Sequence, residues 1–114
     1  MPETGQSWRL EFKAHPAEAH RVRQWVGSRL EHPDAPQVAN ELFVSVLATG
    51  TQTVEMTLST ADSRTQLTAA GSVELKIHHS HGPGFLIVSA LSSQSGVTTD
   101  GKGMWALLST KDKA

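Results

Sequence analysis

The chain of 114 residues has no cysteine, which excludes disulfides, thiolate metal sites and cysteine nucleophiles together. It also lacks an excess of charge: 10 Lys and Arg stand against 11 Asp and Glu, for a formal net charge of −1. Nucleic acid and anionic membrane surfaces are met by a clear surplus of Lys and Arg, so neither is expected as a partner. Long apolar runs are missing too. The longest, residues 42–47 and 85–91, each contain a serine and fall far short of the roughly 20 residues needed to span a bilayer. Residues 1–7 carry neither a basic start nor an apolar stretch, so no signal peptide is expected. A soluble, cytoplasmic protein is the expectation.

What is present suffices for one core. A chain of this length forms one domain and buries about two-thirds of the surface its unfolded form exposes. Residues 1–114 are therefore expected to form a single unit, with 1–7 and 109–114 flexible. Residues 8–14 alternate large apolar and charged side chains, the pattern of a half-buried strand. Pro16 then opens a helix, with Ala19, Val22, Val26 and Leu30 as its inner stripe and Arg21 and Arg29 outward. After the turn at residues 32–36, with Asp34 as a cap, a second helix begins. It sets Ala39, Leu42, Phe43, Val46, Leu47 and Gly50 inward at helical spacing and its one carboxylate, Glu41, on the far side.

Gly50 ends that helix, and residues 52–58 alternate as a strand. Ala61-Asp62-Ser63 forms a turn, and residues 64–70 the antiparallel partner. Residues 73–77 extend the strand or form an ordered loop, and His78-His79-Ser80-His81-Gly82-Pro83-Gly84 is expected to be loop. A third helix begins at Phe85 and stops at Gly96. A closing hairpin turns at Asp100-Gly101. The fold class expected is α+β, a two-layer sandwich with a mixed sheet covered on one face by about three helices.

Three strings in this order resemble the GHKL ATPase superfamily, the fold of histidine-kinase ATPase domains, and within it the small bacterial anti-sigma-factor serine kinases. They are Glu41-Leu-Phe-Val-Ser-Val-Leu-Ala-Thr-Gly50, Gly82-Pro-Gly-Phe-Leu-Ile-Val-Ser-Ala-Leu91 and Gly101-Lys-Gly-Met-Trp-Ala-Leu107. The likeness covers residues 12–108. It implies a GHKL-type sandwich and, for an active member, ATP with magnesium.

The departures from the family pattern carry more weight. Where the family has the acid that orients attack on the terminal phosphate, this chain has Val46. Where it has the magnesium-binding asparagine, this chain has Gly50. The aspartate that meets the adenine amino group aligns with Ala70 or Ala69 before Gly71. Only Gly82 and Gly84 remain as cofactor-binding candidates, through backbone amides at a helix start. Losing a general base costs about 10²–10⁴ in rate, and losing a metal removes several kcal/mol of charge stabilisation. ATP and magnesium binding are thus expected to be lost, leaving a non-catalytic regulatory protein that works by protein contact in bacterial gene control. The partners implied are a sigma factor, an anti-anti-sigma factor or a transcription regulator, with a possible homodimer through the first strand and the helix around Trp25. The alternatives are an active anti-sigma-factor serine kinase and a binder of small apolar ligands in the former nucleotide pocket.

The remaining signals are plainer. Trp25, Trp8, Arg21 and Arg29 are the interaction candidates, since Trp and Arg are enriched at contact hot spots. The same arginines also suit a solvated helix face, and Trp8 and Trp105 suit a core or sheet face. His78, His79 and His81 have no adjoining carboxylate or thiolate, so no metal site is expected there. Ser45, Thr49 and Ser89 stand in no His–acid arrangement, so no catalytic nucleophile is expected.

Overall fold

The computed structural model describes residues 5–61 and 64–109. Strand β1 (Gln6–Lys13) leads through a 3-10 turn at Pro16–Glu18 into helices α1 (Ala19–Arg29) and α2 (Ala35–Leu47). Strands β2 (Thr53–Ala61) and β3 (Arg64–Ala70) follow, then α3 (Ile77–Ser80), α4 (Phe85–Leu91), β4 (Gln94–Val97) and β5 (Gly103–Ser109). The expected turn at Asp62 and Ser63 lies outside the described residues.

The strands form one sheet in the order β1-β2-β3-β5-β4. Every described pairing is antiparallel, so the expected mixed sheet is corrected. Each pair of spatial neighbours runs in opposite directions, whether joined by the α1–α2 excursion, by a hairpin or by the α3–α4–β4 excursion. Gln6 and Ser7, expected to be flexible, are paired with Thr60 and Ser59.

Alternation along the strands decides which face is buried. Phe12, Val54, Met56, Leu58, Leu67, Ala69, Met104, Ala106 and Leu108 point to one side and are almost wholly buried. α2 lies on that side against β2, β3 and β5, and α1 packs on α2. The opposite side has no helix on it among the described residues and carries Arg9, Glu11, Thr57, Gln66, Thr68 and Trp105. The result is two layers, α over β, as the alternation and the helical stripes require.

The α2 stripe is as expected for Ala39, Leu42, Phe43 and Val46, all fully buried, and it extends back to Ala35 and Val38. Gly50 departs from it. It is exposed just beyond the helix at φ +89°, a left-handed conformation that glycine adopts without strain, so it closes α2 rather than lining the core. Asp34 stands at the N-cap position but makes no side-chain cap bond; its own N–H donates to His32 Nδ1 at 3.1 Å. Val22 and Val26 are fully buried in α1, with Ala19 and Leu30 at the margin.

Two further expectations are corrected downstream. The His78–His79–Ser80 stretch is the one-turn helix α3, not loop. α4 stops at Leu91, because Ser92 turns extended at φ −115°, ψ 148° and Ser93 N–H donates to the Leu107 carbonyl at 2.8 Å. Gly96, expected as the helix stop, lies within β4 opposite Trp105. A side chain there would meet the indole, since a Cβ would come within 3.2 Å of the Trp105 ring.

Candidate functional site

The first two strings meet where α2 faces the turn before α4, and the third runs along β5 beneath α2. Gly82 accepts a hydrogen bond from the Phe85 N–H at 3.0 Å, and Gly84 accepts one from Val88 at 3.0 Å. The Phe85 amide is thereby committed within the turn and is not presented to a ligand. Gly84 approaches α2 so closely that a Cβ there would run into the Glu41 carboxylate and lie 3.2 Å from the Glu41 Cβ. Glu41 is half-buried and accepts from Gln37 Nε2 at 2.8 Å and Asn40 Nδ2 at 3.4 Å. It stands off the core face, as expected. It nonetheless faces the glycine turn rather than open solvent.

That contact was missed by sequence reasoning, and it reverses the electrostatics of the turn. A carboxylate beside Gly84 repels an anion at the one place where backbone amides remained candidates for residual phosphate binding. The positions that the resemblance pairs with nucleotide-binding residues are otherwise dispersed. Val46 and Ala69 are fully buried in the core, Gly50 is exposed at the end of α2, and Ala70 is half-buried on the opposite face of the sheet. No oxygen-bearing side chain replaces them at these positions. At the foot of α2, Thr51 Oγ1 donates to the Thr53 carbonyl at 2.9 Å and accepts from the Ser72 N–H at 3.0 Å, which ties the helix exit to the end of β3.

Three of the four interaction candidates lie together beside β1. Trp25 and Trp8 are half-buried and pack against the core. The Trp25 ring meets the edge of Phe12 with centroids 5.9 Å apart, and Phe12 meets Phe43 at 6.2 Å. Both pairs are near-perpendicular, the arrangement favoured by aromatic quadrupoles. Arg21 is exposed, its guanidinium 5.8 Å above the Phe12 ring and bonded to Glu18 at 2.8 Å. Arg29 bonds Ser28 Oγ at 3.1 Å, one turn beyond Trp25. Arg23 bonds Asn40 at 2.7 Å and ties α1 to α2. Trp8, Trp25 and Arg21 thus flank the β1 edge, while Arg29 sits at the far end of α1.

The histidines do not converge on one point. His78 and His79 rings lie 4.1 Å apart, His79 Nδ1 accepts from the Lys76 N–H at 2.9 Å, and His81 Nδ1 contacts Ser80 Oγ at 3.0 Å. Among the described residues, no group of three or more His, Cys, Asp or Glu is placed to hold a metal ion. Among them, too, no helix is long and apolar enough to cross a membrane. Compared with known proteins, the chain matches no family model and no curated protein.

Proposed function

We propose that this chain is a non-catalytic regulatory module of GHKL type, acting by protein–protein contact in bacterial gene control and carrying out no phosphoryl transfer. Val46 carries the reading. It is fully buried among Leu42, Phe43 and the sheet, at the position where the family resemblance requires the acid that orients attack on phosphate. An aliphatic side chain in a packed core accepts no proton and binds no water. Glu41 beside Gly84 adds a negative charge where the triphosphate would lie. Titration of the protein with Mg-ATP by calorimetry is expected to give no saturable heat. Saturable, magnesium-dependent binding would restore the kinase alternative. The positive half is tested by titrating purified sigma factors and anti-anti-sigma factors of the source cell against the immobilised protein. Saturable binding to one of them, unchanged by ATP, is the expected result.

The module is also proposed to pair with a second copy along β1. That strand is an edge, eight residues long, with Leu10 39% exposed and Trp8 half-buried on the helix-bearing side. A long edge strand is a template for pairing unless blunted. Across β2, Glu11 faces Glu55, a like-charge pair, and Arg9 reaches Glu55 only at 3.8 Å. A two-fold axis through Leu10 would set Arg9 opposite Glu11 of the second copy, twice, and Trp8 opposite its Phe12. Axes through Arg9 or Glu11 would oppose like charges instead. Complementary cross-strand pairs contribute about 0.2–1 kcal/mol each and like pairs cost as much. Arg9→Glu is therefore expected to weaken the dimer about ten-fold, and the double exchange with Glu11→Arg to restore it. Sedimentation equilibrium reads this directly. A wild-type chain that stays monomeric at all concentrations would rule the pairing out.

A further inference from the structure

Helix α3 is held shut by an unprotonated imidazole. The Lys76 N–H donates to His79 Nδ1 at 2.9 Å, three residues on, in the manner of a capping box with histidine as the acceptor. Because the donor is a backbone N–H, Nδ1 must carry a lone pair, so the ring is neutral with its proton on Nε2. Three backbone bonds complete the turn: His79 and Ser80 N–H to the Lys76 carbonyl at 2.9 and 3.2 Å, and His81 N–H to the Ile77 carbonyl at 2.8 Å. A helix this short has little intrinsic stability and depends on its cap.

We propose that α3 is an acid-released strap: protonation of His79 removes the acceptor for the Lys76 N–H, and residues 76–81 uncoil from the flank of α2. The surroundings favour release. The titratable and charged groups that bear on the His79 ring are the adjoining His78 and the Lys76 ammonium, and both disfavour a positive charge on it. No Asp or Glu occurs between Glu74 and Asp100. The carboxylates on neighbouring elements are engaged elsewhere: Glu41 of α2 with Gln37 and Asn40, and Asp100 with Thr98 and the Lys102 N–H. Glu74 lies with its side chain towards Gly101.

The sign follows from these contacts. Partial burial first, then His78 and Lys76, hold the His79 pKa below its ordinary value. A group depressed in the folded state contributes its stabilisation at pH above the unfolded value of about 6.5 and loses it as pH falls through the folded one. The strap is closed at neutral pH and opens in mild acid. Opening would bring out Ser80, which is buried at 8% exposure, and lift the cover that α3 lays on α2. The device stands apart from both the lost phosphoryl chemistry and the β1 pairing.

The test is a pH titration of the full chain by NMR, following the helical ¹³Cα shifts of residues 77–80 and the Lys76 amide. Between about pH 7.5 and about pH 5 those shifts are expected to lose at least about half their helical displacement, with the His79 ring titrating in step. His79→Asn places an amide oxygen where Nδ1 stood and does not titrate, so its α3 signals are expected to stay constant over the same range. His78→Asn keeps the acceptor and is expected to retain the loss. Wild-type α3 shifts that ignore pH, or an identical loss in His79→Asn, would overturn the proposal.

Discussion

Replacing Val46 with glutamate is expected to remove most of the protein's stability at neutral pH rather than to supply a catalytic acid. Val46 is fully buried within the core. A carboxyl placed there must stay protonated, because burial in an apolar site raises its pKa by up to ~3–5 units. Keeping it neutral at pH 7, against an ordinary value of about 4.3, costs about 4 kcal/mol at 1.36 kcal/mol per unit. The longer side chain adds about 1–3 kcal/mol of overpacking. Typical domains have only about 5–15 kcal/mol in all. The pH dependence follows from a folded-state pKa raised above the unfolded one. The ionisation cost is absent below about pH 4.3 and grows as pH rises towards the folded value. Urea denaturation at about pH 4.5 and about pH 7.5 should therefore show the variant losing far more ground to wild type at the higher pH. Equal stability of the two proteins at neutral pH would mean that position 46 opens to water, and the nucleotide-site reading would then regain its footing.

Much of the fold was legible because its signals are local. Residues 52–58 alternate so regularly that Val54, Met56 and Leu58 all land on the buried face. The α2 stripe from Ala39 to Val46 gives the helix that covers the sheet, and Asp100-Gly101 marks the last hairpin, where Gly101 sits at φ +76°. The errors arose where a distant partner decides the outcome. α4 has an apolar sequence that could continue past Leu91, yet Ser93 is drawn off by the Leu107 carbonyl, fourteen positions away in the chain. α3 has no apolar periodicity at all, and a histidine ring supplies its cap. The mixed sheet was an expectation drawn from element order, which does not set strand direction across the excursions.

The candidate site was legible only through the resemblance. That Val46, Gly50 and Ala69 or Ala70 carry no side-chain oxygen is visible in the residues themselves, but that an acid, an asparagine or an aspartate belongs at those positions is implied only by the resemblance. What replaces them is not visible. Glu41 and Gly84 are 43 positions apart, and no spacing rule brings a carboxylate on α2 against a glycine in a later turn. The β1 edge is intermediate between these cases. Its alternation of Arg9, Glu11 and Lys13 with Trp8, Leu10 and Phe12 could be seen in the sequence. That β1 lies at the margin of the sheet, with Glu11 facing Glu55, required the strand order and register.

Phe43→Ala is expected to cost about 3–5 kcal/mol, the range for deleting a fully buried aromatic ring when its surroundings relax only in part. Phe43 is fully buried and links three elements, α2, β1 and α1. It projects from α2 towards the sheet, meets Phe12 of β1 edge-on at 6.2 Å, and through Phe12 supports Trp25 of α1 at 5.9 Å. Removing the ring leaves Phe12 without a partner on one side and loosens the packing of both helices on β1. With urea slopes of about 1–3 kcal/mol per molar for small domains, the midpoint should fall by at least about 1 M without a change in slope. Val44 supplies the contrast on the same helix. It is 40% exposed, so Val44→Ala is expected to shift stability by no more than about 0.5 kcal/mol. A Phe43→Ala midpoint within experimental error of the Val44→Ala midpoint would mean that α2 does not seat its Leu42–Phe43 face on the sheet. The layered core, and with it the burial of Val46, would then have to be abandoned.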